Sequence, residues 1–120
     1  MSYNNRITLT GNLTRDPEYK TISAGGQDRE LVSFRMAVNE NYGNGKEKTV
    51  YMDVDLWGPG HTKYAQAVQL SKGDPVHVDG SLEQRNWEDS NGGKRTNYTV
   101  SPRKFSKLMK PGRSEESQSF

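Results

Sequence analysis

The chain has 120 residues, of which 30% are hydrophobic and 27% charged, a length that fits one domain and excludes a large multilayer enzyme. Zero cysteines exclude a disulfide scaffold, a thiolate zinc site and a cysteine nucleophile, and no run of about 18 apolar residues is present to span a bilayer. The net charge of +2 is uneven: residues 1–102 hold 12 Lys/Arg against 13 Asp/Glu, whereas Arg103, Lys104, Lys107, Lys110 and Arg113 form an acid-free stretch before Glu115 and Glu116. The polar start, Met1 to Arg6, has no apolar signal stretch, so a cytoplasmic protein without a membrane association is expected.

Glycine, proline and asparagine clusters divide the chain into short pieces whose apolar residues mostly alternate, the pattern of half-buried strands. The first predicted strand places Ile7, Leu9, Gly11 and Leu13 on one face. A long loop, Thr14–Glu30, follows, with Gly25-Gly26 bending it. The second strand carries Val32, Phe34, Met36 and Val38 inward, with Ser33 and Arg35 opposite. After a short loop, Asn41–Glu47, the third carries Val50, Met52, Val54 and Leu56.

The rhythm then changes. Tyr64, Ala65, Ala67, Val68 and Leu70 fit a short helix over His61–Leu70 with one apolar side, closed by Lys72-Gly73. The fourth strand holds Val76, Val78, Gly80 and Leu82. A tight Asp89–Gly93 hairpin leads to a weaker fifth strand near Arg95–Val100, which Pro102 should stop. Residues 111–120 are too polar to fold alone and are expected to be a disordered tail on a domain spanning 1–110. Five short strands with one helix between the third and fourth predict an all-β OB-fold, a five-stranded Greek-key barrel. A split ferredoxin-type sheet would need a second helix.

If Val50, Met52, Val54 and Leu56 point inward, strict alternation turns Tyr51, Asp53, Asp55 and Trp57 outward. Two large rings then stand on an outer face that OB-folds present to nucleic acid. Tyr42 lies in the loop joining the second and third strands, and Trp87 opens the last hairpin. Such rings either pack under a loop or a partner subunit, or form a platform on which unpaired bases stack, at roughly 1–3 kcal/mol per base. Interleaved cations, Arg6, Arg35, Lys46, Lys48, Lys72, Arg85 and Arg95, would supply phosphate contacts.

Enzyme readings find less support. Asp53-x-Asp55 has a spacing that can hold Mg²⁺ in a nuclease, but no further converging carboxylate is identifiable. His61 and His77 make neither a zinc pattern nor a triad with a nucleophile. Gly58-Pro59-Gly60 precedes a helix without the Gly-Lys-Ser/Thr of a phosphate-binding loop. No cofactor and no metal site are expected.

Long stretches of the chain resemble the bacterial single-stranded-DNA-binding protein family: Asn5–Glu18 (NRITLTGNLTRDPE), Val32–Ala37 (VSFRMA), Leu56–Gly58 (LWG), Lys72–Leu82 (KGDPVHVDGSL) and Arg85–Asp89 (RNWED). The resemblance covers about residues 4–109. It implies a non-enzymatic OB-fold protein that coats and protects single-stranded DNA, largely without regard to sequence, in replication, recombination and repair, as a homotetramer. By position it places stacking rings at Tyr42, Tyr51, Trp57 and Trp87, three of them differing in ring type from the family's commonest residue, and basic contacts at Arg6, Lys72 and Arg85. An acidic tip that recruits replication and repair proteins would fall on Glu115, Glu116 and Phe120. The chain departs from the pattern in lacking a long linker, in Asp53 and Asp55 on the binding face, and in Glu83 at an often basic position. A primosome-type adaptor of the same fold is a rival reading, which the retained aromatic set argues against. Stacking does not read the 2′-hydroxyl, so DNA and RNA both remain open.

Overall fold

Alternation in the sequence becomes alternation in burial. In β1 (Ile7–Leu13), Gly11 and Leu13 are buried while Thr8, Thr10 and Asn12 are exposed. The computed structural model describes residues 4–109, so the tail expected over 111–120 lies outside the described residues. After β1 come β2 (Glu18–Ala24), β3 (Gln27–Gly43), β4 (Lys46–Trp57), α1 (Pro59–Ala67), β5 (Pro75–Glu88) and β6 (Lys94–Lys107).

The strands lie in the order β1-β5-β6-β4-β3-β2, and β1 also pairs with β3. That second pairing, Asn12 to Ala37 and Leu13 to Met36, closes five strands into a ring. A short parallel contact of β4 with β6, Asp53 to Thr99 and Val54 to Val100, completes the OB-fold barrel. Closure demands close approach at two glycines: a Cβ on Gly11 would run into the Ala37 carbonyl, and one on Gly80 into the Ser101 carbonyl.

The barrel is filled by Leu13, Val32, Phe34, Met36, Val54, Leu56, Val76, Val78, Val100 and Phe105. Helix α1 plugs one end. Tyr64 meets Phe105 edge-on at 5.3 Å between centroids, and its hydroxyl accepts the Lys107 amide at 3.0 Å. Among the described residues no helix is long and apolar enough to cross a membrane.

Four expectations are corrected. The segment Thr14–Glu30 is not a loop: it holds β2 and the start of β3, paired from Glu18–Ser33 to Ala24–Gln27. Gly25 and Gly26 (φ 60° and 80°) form a two-residue hairpin turn that needs positive φ at both positions. This hairpin has little apolar alternation because it hangs off the barrel. Second, the strands extend into the expected loop over 41–47, leaving Asn44 and Gly45, both at positive φ, as the turn. Third, α1 begins at Pro59 and ends at Ala67, not at Lys72-Gly73. The Gln69 amide donates to Gln66 and the Leu70 amide to Ala65, with Gln69 at φ 55°, so a left-handed Gln closes the helix in the role glycine commonly takes. Fourth, β6 runs through Pro102 to Lys107. The register shifts opposite it, between Asp79 and Gly80, and a bulge is one of the few places a strand accepts proline.

Leu82 also departs from its expected core position. It is 37% exposed because the β5–β6 arm projects beyond the barrel.

Candidate nucleic-acid interface

Cross-strand register defines one outward face. From β5 it takes Glu83, Arg85 and Trp87; from β6, Arg95, Asn97 and Thr99. From β4 it takes Tyr51, Asp53, Asp55 and Trp57, and from β3, Arg29, Leu31, Ser33 and Arg35. Lys20 and Ile22 of β2 continue it.

Three of the four predicted rings are well exposed: Tyr42 at 60%, Tyr51 at 53% and Trp87 at 49%. Tyr42 stands near the tip of the β3–β4 hairpin, where its hydroxyl donates to Glu40 at 2.9 Å. Tyr51 faces the Arg35 guanidinium at 5.5 Å and lies across from small Ala37. Trp57 is half-buried at the end of β4, roughly 20 Å along the strand from Tyr51. Trp87 lies opposite Arg95 at the root of the last hairpin.

That hairpin is tied by Asp89. Its carboxylate accepts the amides of Asn91 and Gly93 at 3.0 and 2.8 Å and the Arg95 Nε at 2.9 Å. The bond from Arg95, then those from the two amides, hold the Asp89 carboxyl below its ordinary range.

The cations differ in how they are engaged. Arg35 donates to Asp53 at 3.0 Å. Arg85 lies 3.8 Å from Asp55. Arg6 sits on the β1–β5 side, away from the rings of β4, and grips Asp79 through two bonds of 3.1 and 2.7 Å. That grip holds the Asp79 carboxyl below its usual value. Lys72 follows α1, where its backbone amide binds Asp16 at 2.8 Å; its ammonium has no ion-pair partner among the described residues. Lys72 adjoins Gly73, whose carbonyl accepts from Asn12, and Asn12, Ala37 and Tyr51 make one outward row across three strands.

Asp55 corrects the alternation argument. It faces outward by register yet is only 9% exposed, because Arg85 and the β2–β3 hairpin overhang it. Its Oδ1 accepts from Ser33 Oγ at 3.0 Å. Asp53 and Asp55 are thus each engaged with an arginine, and among the described residues they join no cluster of carboxylates and histidines able to hold a metal ion. His77 Nδ1 is 2.8 Å from Thr10 Oγ1.

Sequence reasoning missed Arg29, whose guanidinium lies 4.5 Å from the Trp57 ring centroid. The residue fell inside the stretch taken as loop, so alternation was not applied to it. Asp89 was seen only as a turn former. Glu115, Glu116 and Phe120 lie outside the described residues.

A closed barrel bearing rings and arginines along one outer face is a nucleic-acid-binding class of OB-fold. The chain matches the Single-strand binding protein family over residues 4–108 and belongs to that family. It is 38% identical over 100 residues to a single-stranded DNA-binding protein of Deinococcus radiodurans; the match covers 80% of this chain and 31% of that relative, so the chain spans about a third of its length. The fold also matches the Plasmodium falciparum SSB in a complex with ssDNA, with a TM-score of 0.76, 23% identity, and coverage of 91% of this chain and 98% of that one.

Proposed function

We propose that this domain binds single-stranded DNA without catalysing a reaction, largely independently of sequence, and coats and protects it during replication, recombination and repair. One observation carries the reading: Tyr51, Trp57 and Trp87 share an outward face with Arg29, Arg35, Arg85 and Arg95, while Tyr42 is exposed near the tip of the β3–β4 hairpin. Rings accept any base by its π-face, and cations beside them track the phosphates. The likeness to the Deinococcus single-stranded DNA-binding protein and to the Plasmodium SSB in complex with ssDNA supports the same ligand. Tyr42, Tyr51, Trp57 and Trp87 act as stacking residues, with Arg6, Arg35, Lys72 and Arg85 as phosphate contacts.

The resemblance supports a homotetramer in the cytoplasm, and recruitment of replication or repair proteins through Glu115, Glu116 and Phe120. Both tryptophans lie in the proposed path, so titrating their fluorescence with oligo(dT) and with duplex DNA tests the ligand. Strong quenching by the single strand alone is the expected result. Equal response to duplex, or none to either, overturns it. Hydrolysis of the strand that a chelator abolishes would favour a nuclease instead.

A further inference from the structure

Beside Trp57 the outward face is not flat. A cleft of about 320 Å³ opens between the β2–β3 hairpin and the β5 arm, lined by the Trp57 ring, Leu31, Ile22 and Asp55, with Lys20 and Arg85 among its cations. Its lining is mixed: Ile22, Leu31 and Trp57 supply apolar and aromatic wall, and Lys20, Ser33, Asp55, Glu83 and Arg85 supply polar and charged groups that can orient a ligand. The polar group that matters is buried. Asp55 Oδ1 is occupied by Ser33, whereas Oδ2 is 3.8 Å from Arg85, beyond hydrogen-bond reach, so Oδ2 retains acceptor capacity.

A carboxylate accepts only, unless protonated. A base entering against Trp57 is therefore welcome if it offers an N–H where Oδ2 stands, and disfavoured if it offers a carbonyl. Glu83, also on the cleft wall, adds a second negative charge with the same preference. We infer that this cleft is a subsite for a nucleobase carrying an exocyclic amino group, cytosine foremost, with Trp57 as its stacking wall and Asp55 Oδ2 as the acceptor for that amine. Asp or Glu accepting from the cytosine amine is an established mode of base readout. Lys20 and Arg85 at the cleft are placed to meet the flanking phosphates. The inference rests on the proposed single-strand binding and adds to it one selective position in a path otherwise tolerant of sequence.

Oligo(dC) and oligo(dU) of equal length differ on the pairing edge, where the cytosine amine replaces the uracil carbonyl. Binding of each to the full chain is read by fluorescence anisotropy. Wild type is expected to hold oligo(dC) about tenfold more tightly, the scale of one hydrogen bond to a charged group. Asp55→Asn should bring the ratio close to one. Dimethylating the exocyclic amine of oligo(dC) should erase the preference with the protein unaltered. Equal binding of oligo(dC) and oligo(dU) by wild type, or a preference that survives dimethylation or Asp55→Asn, overturns the subsite and leaves single-strand binding standing. Failure to bind any of these strands removes the single-strand reading and the subsite with it.

Discussion

The Arg29 guanidinium lies over the Trp57 ring, 4.5 Å from its centroid, so a residue of the β2–β3 hairpin covers one side of a ring anchored at the end of β4. The contact restrains the indole and leaves its remaining surface to a base. Trp57→Ala should weaken oligo(dT) binding by about 1–3 kcal/mol. Arg29→Ala should cost less, about 0.5–1 kcal/mol, the range of an exposed cation–π pair. Fluorescence titration of each variant measures both. A folded Trp57→Ala, Trp87→Ala double variant, followed by anisotropy of a labelled strand and retaining full affinity, would sink the stacking platform.

Salt separates the cations. Each phosphate neutralised on a single strand contributes about −0.7 to the slope of log K against log[salt]. Lys72 has no ion-pair partner among the described residues, whereas Arg6 must loosen its two bonds to Asp79 before it can serve a phosphate. Lys72→Ala should therefore flatten the slope more than Arg6→Ala. The reverse order would show that the Arg6–Asp79 pair is not a barrier to phosphate binding.

Acid should loosen the last hairpin locally. The Asp89 carboxyl is held below its ordinary value of 3.8 by Arg95 and two backbone amides. A group with a depressed folded pKa stabilises the fold above its unfolded pKa, and that contribution is lost as pH falls through the folded value. The hairpin should thus be unaffected by mild acid and begin to release only below pH 3.8. Amide shifts of Asn91 and Gly93, followed by NMR during acidification, report it. Movement of those signals near neutral pH would contradict the assignment.

Barrel closure can be tested by adding single methyl groups. Gly11→Ala and Gly80→Ala each place a Cβ against a backbone carbonyl and should destabilise by about 1–3 kcal/mol or more. Gly60, in the first turn of α1, has nothing within 4 Å of an added Cβ and no positive φ. Gly60→Ala should hold or slightly raise the melting temperature, since alanine restricts the unfolded chain. Equal melting curves for all three variants would show that the strands can separate at the closures without cost.

Five strands were legible in the sequence because each buries one face in the barrel, and Val32, Phe34, Val54, Leu56, Val76 and Val78 therefore recur at period two. β2 was not legible for the complementary reason: Glu18, Lys20, Thr21 and Ser23 are all exposed, and without a buried face there is no alternation to read. Tyr51 and Trp57 followed from alternation along β4, but alternation reports only side, not depth. It placed Asp55 outward and could not foresee that Arg85 and the β2–β3 hairpin would cover it. Pro102 misled because Arg103 beside it is an extra, unpaired residue of β6, a bulge that shows only in the register against β5.

The 17-residue β3 uses a single edge twice, first for β2 over Gln27–Ser33 and then for β1 at Met36 and Ala37. The β2 pairing and the ring closure therefore sit end to end along one strand. Prising β2 away breaks none of the pairings that seal the ring, so that hairpin can open at a lower free energy than global unfolding. Changes in its length or charge fall outside the ring, and the surroundings of Trp57 can vary while the barrel stays shut.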